Sequence, residues 1–198
     1  MGDKTLTDEQ IRAAAEIAGL EYAALKAVDE VESKGAGFLP DGRPVILFEG
    51  HVFWKELEER GTDPNKLAPG NEDILYPTWD KAKYQGGEAE HQRLQKAMLI
   101  NKDAALCSAS WGRFQIMGFN WQVCGFKSFQ AFIHAIHRDE AGHLVACIGY
   151  IKGAGLLPSL KLLDWAAFAK GYKGPGYTAS KYDVKLARAY AEAKKKGW

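Results

Sequence analysis

The stretch AVDEVESKGAGFL, from Ala27, sets Asp29, Glu30 and Glu32 close together ahead of a glycine-rich break. Farther along, PVILFEGHVFW runs through apolar residues, stops at Glu49 and continues with Gly50 and His51. A helix over Glu21–Ser33 gathers Tyr22, Ala24, Leu25, Val28 and Val31 into one apolar arc. At roughly 100° per residue, Glu32 falls inside that arc, Glu30 points nearly opposite and Asp29 lies at its border. A carboxylate on a buried face, at the negative end of a helix, is disfavoured as an anion on both counts. Glu32 is therefore suited to give up a proton near neutral pH, whereas Glu30 reads as solvated. Glu49 taken alone reads as the neighbour of a helix N-terminus. Coupled with Glu32, it completes the two-carboxylate arrangement of glycoside hydrolysis.

Such a pair needs a helix, a strand and a groove between them. TDEQ at Thr7–Gln10 is a capping box that opens a first helix, and Gly19 closes it. FLPDGRPVILF holds two short apolar runs around Asp41-Gly42, a hairpin signal that would return its second strand beside Glu32. A helix is expected near Val52–Arg60. Residues 61–87, with prolines, glycines, Asn65 and Asn71, read as a long loop of the functional or mobile kind. Helices resume near Glu88–Leu106, Phe129–Ile151, Ser159–Lys170 and Lys181–Lys195. The expected architecture is one mainly α domain (α+β) over residues 1–198, with about eight helices and one small β-hairpin bordering the groove.

Composition narrows the chemistry. The chain has 198 residues, enough for one domain with an ample core. Its formal net charge of +1 gives no global field for nucleic acid. Aromatic residues make up 12% of the chain, which suits stacking on a flat or sugar-like ligand, although most of these rings belong to a core. Cys107, Cys124 and Cys147 are odd in number and widely spaced, so no disulfide framework is implied. His143 and Cys147 stand one helical turn apart without CxxC or HExxH, and read as helix core rather than a metal site. No metal or cofactor is expected. No apolar run reaches spanning length, and MGDKTLTDEQ lacks the apolar segment of a leader. The expectation is a chain made in the cytoplasm without a signal peptide.

Three motifs carry a resemblance. ESKGAGF from Glu32 resembles the Glu-Ser motif of goose-type lysozymes and soluble lytic transglycosylases. WGRFQIM from Trp111 resembles their Gly-Leu-Met-Gln-(Ile/Leu)-Met block at Gly112, Gln115, Ile116 and Met117, and GYKGPGY from Gly171 resembles their Ala-Tyr-Asn-(Ala)-Gly block at Tyr172 and Gly174. Over nearly its whole length the chain is similar to the N-acetylmuramidase domain of phage endolysins that attack Gram-negative walls. LFEGHVFW, ASWGRFQIMGFNW and KYDVKLARAY look like signature blocks of that family. Arg113-Phe114 in place of Leu-Met and Lys173 in place of Asn depart from the pattern, so outer subsite contacts are expected to differ.

The resemblance implies a lysozyme-like fold and cleavage of the β-1,4 bond between N-acetylmuramic acid and N-acetylglucosamine. Glu32 would protonate the glycosidic oxygen, and Glu49 would orient water or stabilise oxocarbenium-like charge. Ser33, counted with the substrate-binding residues, would hold Glu32 or the hairpin in place, or simply end the helix. Gly112 and Met117 belong to the substrate-binding block. Gln115 offers a donor and an acceptor for an N-acetyl or hydroxyl group. Tyr172 pairs a stacking face with a hydroxyl near Glu32. Trp111, Phe114 and Trp121 offer sugar stacking, with at least one of them going to the core. The implied partner is the glycan strand of peptidoglycan, met by a monomeric enzyme in the periplasm after release from the cytoplasm. No separate wall-binding module is expected. The Lys194-Lys195-Lys196 cluster suits a solvated tail or weak contact with anionic lipid or wall polymer. Two alternatives stay open: a lytic transglycosylase forming anhydro-muramyl ends, and a glycan-binding module without catalysis.

Overall fold

The computed structural model describes residues 4–33 and 35–197. Met1–Asp3 of the N-terminal stretch, Lys34 of the ESKGAGF motif and Trp198 lie outside the described residues. The chain begins with α1 (Asp8–Ala18), and its capping box forms as the sequence predicts. Gln10 N–H donates to the Thr7 hydroxyl at 3.3 Å, and Thr7 N–H donates to Gln10 Oε1 at 3.0 Å. Gly19, at φ 64°, closes the helix in the left-handed conformation. Next comes α2 (Tyr22–Glu32), with Ser33 as its C-cap. Leu25 and Val28 of its inner face are fully buried.

After α2 the order is β1 (Ile46–Phe48), α3 (Gly50–Glu59), α4 (Gly87–Ile100), α5 (Lys102–Cys107), β2 (Ala109–Trp111) and β3 (Ile116–Met117). The rest is helical: α6 (Phe129–Arg138), α7 (Glu140–Gly153), α8 (Leu157–Lys161), α9 (Trp165–Lys173), α10 (Tyr177–Ser180) and α11 (Tyr182–Lys195). The described residues thus form eleven helices, more than the eight or so expected from periodicity. Three expected helices are each split in two, and the second half starts at an Asn or Asp every time. Asn101 takes Ala104 N–H at 3.0 Å, Asp139 takes Gly142 N–H at 2.8 Å, and Asp164 takes Ala167 N–H at 3.0 Å. A short polar side chain that satisfies an orphan N–H starts a new helix without glycine or proline.

The expected hairpin forms as a short ribbon, closed also by Val45 N–H on Gly37 O at 2.8 Å, and the sheet is built beyond it. Around Asp41-Gly42 the chain does turn, with Leu39 N–H donating to Arg43 O at 2.7 Å and a single bridge from Phe38 to Pro44. The strand that follows, β1, instead pairs antiparallel with β2, Ile46 opposite Trp111 and Phe48 opposite Ala109. Strand β2 pairs in turn with β3, Ser110 opposite Met117, so the three-stranded sheet runs β1-β2-β3. The tight hairpin is therefore the WGRFQIM stretch itself. Behind it, α11 lies along α2 and buries Tyr182, Leu186, Ala189 and Ala193. No helix among the described residues is long and apolar enough to cross a membrane.

Candidate active site

Glu32 is the last residue of α2 and is only 9% exposed. Its Oε2 lies 2.6 Å from Nζ of Lys173, the last residue of α9. The same ammonium sits 5.2 Å from the Tyr172 ring centroid and 5.3 Å from that of Tyr182, and these two rings stack at 6.3 Å. Burial first, and then the nearby Glu32 charge, push the Tyr182 phenol well above its ordinary pKa. Tyr172 is driven up by burial too, with Cys147 and Glu32 as further causes. Aromatic faces and one ammonium thus enclose the Glu32 carboxylate.

Glu49 stands at the N-cap of α3, directly after β1. Its backbone N–H donates to Ser108 O at 3.0 Å. Its Oε2 accepts from the Tyr84 hydroxyl, and His51 Nδ1 lies 3.4 Å from the same oxygen. Burial, together with the bond to Glu49, raises the Tyr84 phenol pKa, so it is a proton donor to Glu49 rather than an anion beside it. Burial lowers the His51 pKa against the opposing Glu49 charge. Tyr84 belongs to the loop between α3 and α4, which is built around a fully buried ion pair. Glu90 Oε2 takes Arg93 Nη1–H at 2.7 Å and Phe48 N–H at 3.0 Å, and Glu90 Oε1 takes Gln85 N–H at 2.7 Å. Arg93 also donates to Phe48 O at 3.0 Å and twice to Asp73 O. A Cβ at Gly50 would come within 2.6 Å of Ile74 O, so only glycine lets this loop close over the start of α3. The long loop is the clamp that fixes Glu49.

A second buried network sets the floor between the carboxylates. Arg113 grips Asp29 with Nε at 2.6 Å and Nη2 at 3.1 Å, and reaches Glu140 Oε2 at 3.2 Å and Gly35 O at 3.2 Å with Nη1. Asp29, at the border of the apolar arc, is 1% exposed because this bidentate partner meets it there. His143 Nε2 hydrogen-bonds Ile136 O at 2.7 Å, which makes Nδ1 the acceptor for Arg113 N–H at 3.0 Å. Burial lowers its pKa and keeps the ring neutral. The ring also lies against Gly112, at φ 69°, where a Cβ would come within 2.6 Å of Nδ1. Gly112 is thus fixed both by its backbone and by the imidazole.

These parts enclose a groove of about 560 Å³ lined by Glu32, Glu49, Gly112, Arg113, Gln115 and Lys173, among others. A side cavity of about 130 Å³, lined by Phe114, Tyr150 and Tyr172, shares Gln115, Met117 and Lys173 with it. Glu32 and Glu49 therefore face one space, joined by Gly112, Gln115 and Met117 of the β2–β3 hairpin. The Gln115 amide is already engaged, taking the Ser110 hydroxyl at 2.8 Å and donating to Gly112 O at 2.8 Å. Three expectations are corrected. Trp111 is 2% exposed, with its Nε1–H on Leu106 O at 3.1 Å and its ring against His137, so it has no face for a sugar. Trp121 packs against the core and lines neither cavity. Ser33 closes α2 through its N–H on Asp29 O at 2.8 Å and does not line the groove. The Tyr172 hydroxyl lies 3.7 Å from Cys147 Sγ and near enough to Glu32 to feel its charge, and the residue lines the side cavity. Phe114 is buried, yet its ring contributes to the wall of the side cavity.

Two carboxylates across a helix-framed groove, with a small sheet along one edge, are an arrangement that glycoside chemistry can use. A family model described as N-acetylmuramidase matches residues 21–194, and the chain belongs to that family. The crystal structure of the endolysin of Burkholderia phage AP3 superimposes with a TM-score of 0.90 at 39% identity, over 98% of this chain and 74% of that chain. Among curated protein sequences, none matches this chain.

Proposed function

We propose that this protein hydrolyses the β-1,4 bond between N-acetylmuramic acid and N-acetylglucosamine in peptidoglycan. The observation that carries the reading is the placement of Glu32 and Glu49 on one groove, each held by its own buried scaffold. Glu32, on the α2 wall, delivers a proton to the glycosidic oxygen, since expulsion of a sugar alkoxide is otherwise too costly. Glu49, at the end of the sheet, has Oε2 occupied by Tyr84 and turns Oε1 toward a water or the developing oxocarbenium charge. Gln115, locked by Ser110 and Gly112, serves as a shaped wall of the glycan site.

The test is a pair of isosteric changes with product analysis. Glu32→Gln keeps the shape and removes the proton source, so wall lysis should fall by orders of magnitude without loss of thermal stability. Glu30→Gln, on an exposed residue of the same helix, should remain near wild type. A Glu32→Gln enzyme with a tenth of normal activity would sink the assignment. Mass spectrometry should find reducing muramyl ends, and anhydro-muramyl ends would replace hydrolysis with transglycosylation.

A further inference from the structure

Two cations line the groove among the described residues, and they are held very differently. Arg113 is committed by a bidentate bond to buried Asp29 and a third contact to buried Glu140. It cannot turn toward a ligand without breaking its bonds to two interior carboxylates. Lys173 is 41% exposed and holds one ion pair, to Glu32 at 2.6 Å. Gly174 follows it at φ 78°, at the end of α9. It also stands where the main groove opens into the side cavity, lining both.

That position creates a conflict with catalysis. The ammonium on Oε2 pairs with Glu32 as an anion in the groove that both residues line, and an acid must carry a proton to protonate the leaving group. The ammonium has to move first. Pulling it away with nothing in exchange leaves a nearly buried carboxylate without its partner, which is costly. When a bound carboxylate takes the ammonium, Lys173 keeps an equivalent bond, and Glu32, freed of the cation, is neutralised by the proton that it delivers to the leaving oxygen.

We propose that Lys173 is a substrate-displaced latch: a carboxylate on the glycan's side arm takes the ammonium from Glu32, so the enzyme selects anionic strands over neutral ones. The inference rests on the muramidase reading and adds the substrate charge that the site recognises. The side cavity, walled by Gln115, Asn120 and Tyr172, gives the arm its place, with the carboxylate at the junction. Lys173 acts on the reaction by freeing Glu32 and needs no covalent step.

The experiment compares soluble peptidoglycan fragments carrying free stem-peptide carboxylates with the same fragments after those groups are converted to methyl amides. For the wild-type enzyme, kcat/KM on the native form should exceed that on the amidated form about tenfold, the ratio one charge-assisted hydrogen bond carries. High salt should shrink that preference. Lys173→Met should bring the ratio close to one, and Lys173→Arg should restore most of it. Melting curves confirm that the variants are folded, and the wild-type comparison stands without any variant. Equal cleavage of both fragments by the wild type, or an unchanged ratio in Lys173→Met, overturns the latch alone. Failure to cleave either fragment overturns the muramidase reading and the latch with it.

Discussion

Arg93→Met is the sharpest test of how Glu49 is held. The change keeps most of the stem volume and removes a guanidinium that bonds Glu90, Phe48 O and Asp73 O. Glu90 is fully buried, so its carboxylate is left in the interior without the cation at 2.7 Å. Breaking a buried pair from one side costs ~3–5 kcal/mol. For a domain of this size each kcal/mol moves the midpoint by about 2–4 °C, which gives a drop of roughly 6–20 °C. Circular dichroism melting at neutral pH measures it directly. The Glu90→Met/Arg93→Met double variant adds a second reading. It should lose less than the sum of the single changes, by about 1 kcal/mol or more, because each single change already breaks the shared contact. A midpoint for Arg93→Met within about 3 °C of wild type would refute the clamp, as would simple additivity of the two changes.

Three other predictions follow from the same geometry. Tyr84→Phe removes the donor on Glu49 Oε2 and should lower kcat roughly ten- to a hundredfold with KM little changed; full turnover in steady-state assays would show that the loop does not orient Glu49. Stability should fall with pH below the ordinary imidazole value of 6.5, because burial holds His143 neutral while the unfolded chain takes up the proton. Burial lowers His91 and His137 in the same direction, so the melting midpoint should decline from about pH 7.5 to about pH 5.5, and a flat or rising profile would contradict it. Trp111→Ala should cost ~3–5 kcal/mol of stability, as expected for a core ring, and a variant that melts normally but binds glycan poorly would return Trp111 to the groove.

What was legible in the sequence is what local chemistry determines. The Thr7–Gln10 capping box, the Gly19 stop and the inward face of Glu32 follow from side chains a turn or less apart, and the structure has all three. Helix breaks at Asn101, Asp139 and Asp164 were missed because their caps interrupt the chain without interrupting the apolar period. The sheet partner of β1 was not legible for another reason. The apolar runs around Asp41-Gly42 satisfy a hairpin pattern, but β1 finds its partner far along the chain at β2, and no local signal reports that distance. The site divides in the same way. That Gln115, Gly112 and Met117 share one stretch of groove was legible because one short motif contains them, whereas the Arg113–Asp29 bond spans 84 positions and Tyr84–Glu49 spans 35. The replacement of the usual Asn by Lys173 was the one available hint of the Glu32 ion pair.

The wall that carries Glu32 has a temporal consequence. Helix α2 is made early, yet its inner face is covered by α11, and its terminal carboxylate by Lys173 of α9. While the chain is still being synthesised, α2 has no α11 to pack against, and Glu32 has neither its ammonium nor the Tyr182 phenol near it. Domains gain their packing as units. The wall of the groove therefore assembles only once the segment through α11 has emerged, and a nascent chain carries both carboxylates without the groove that brings them together.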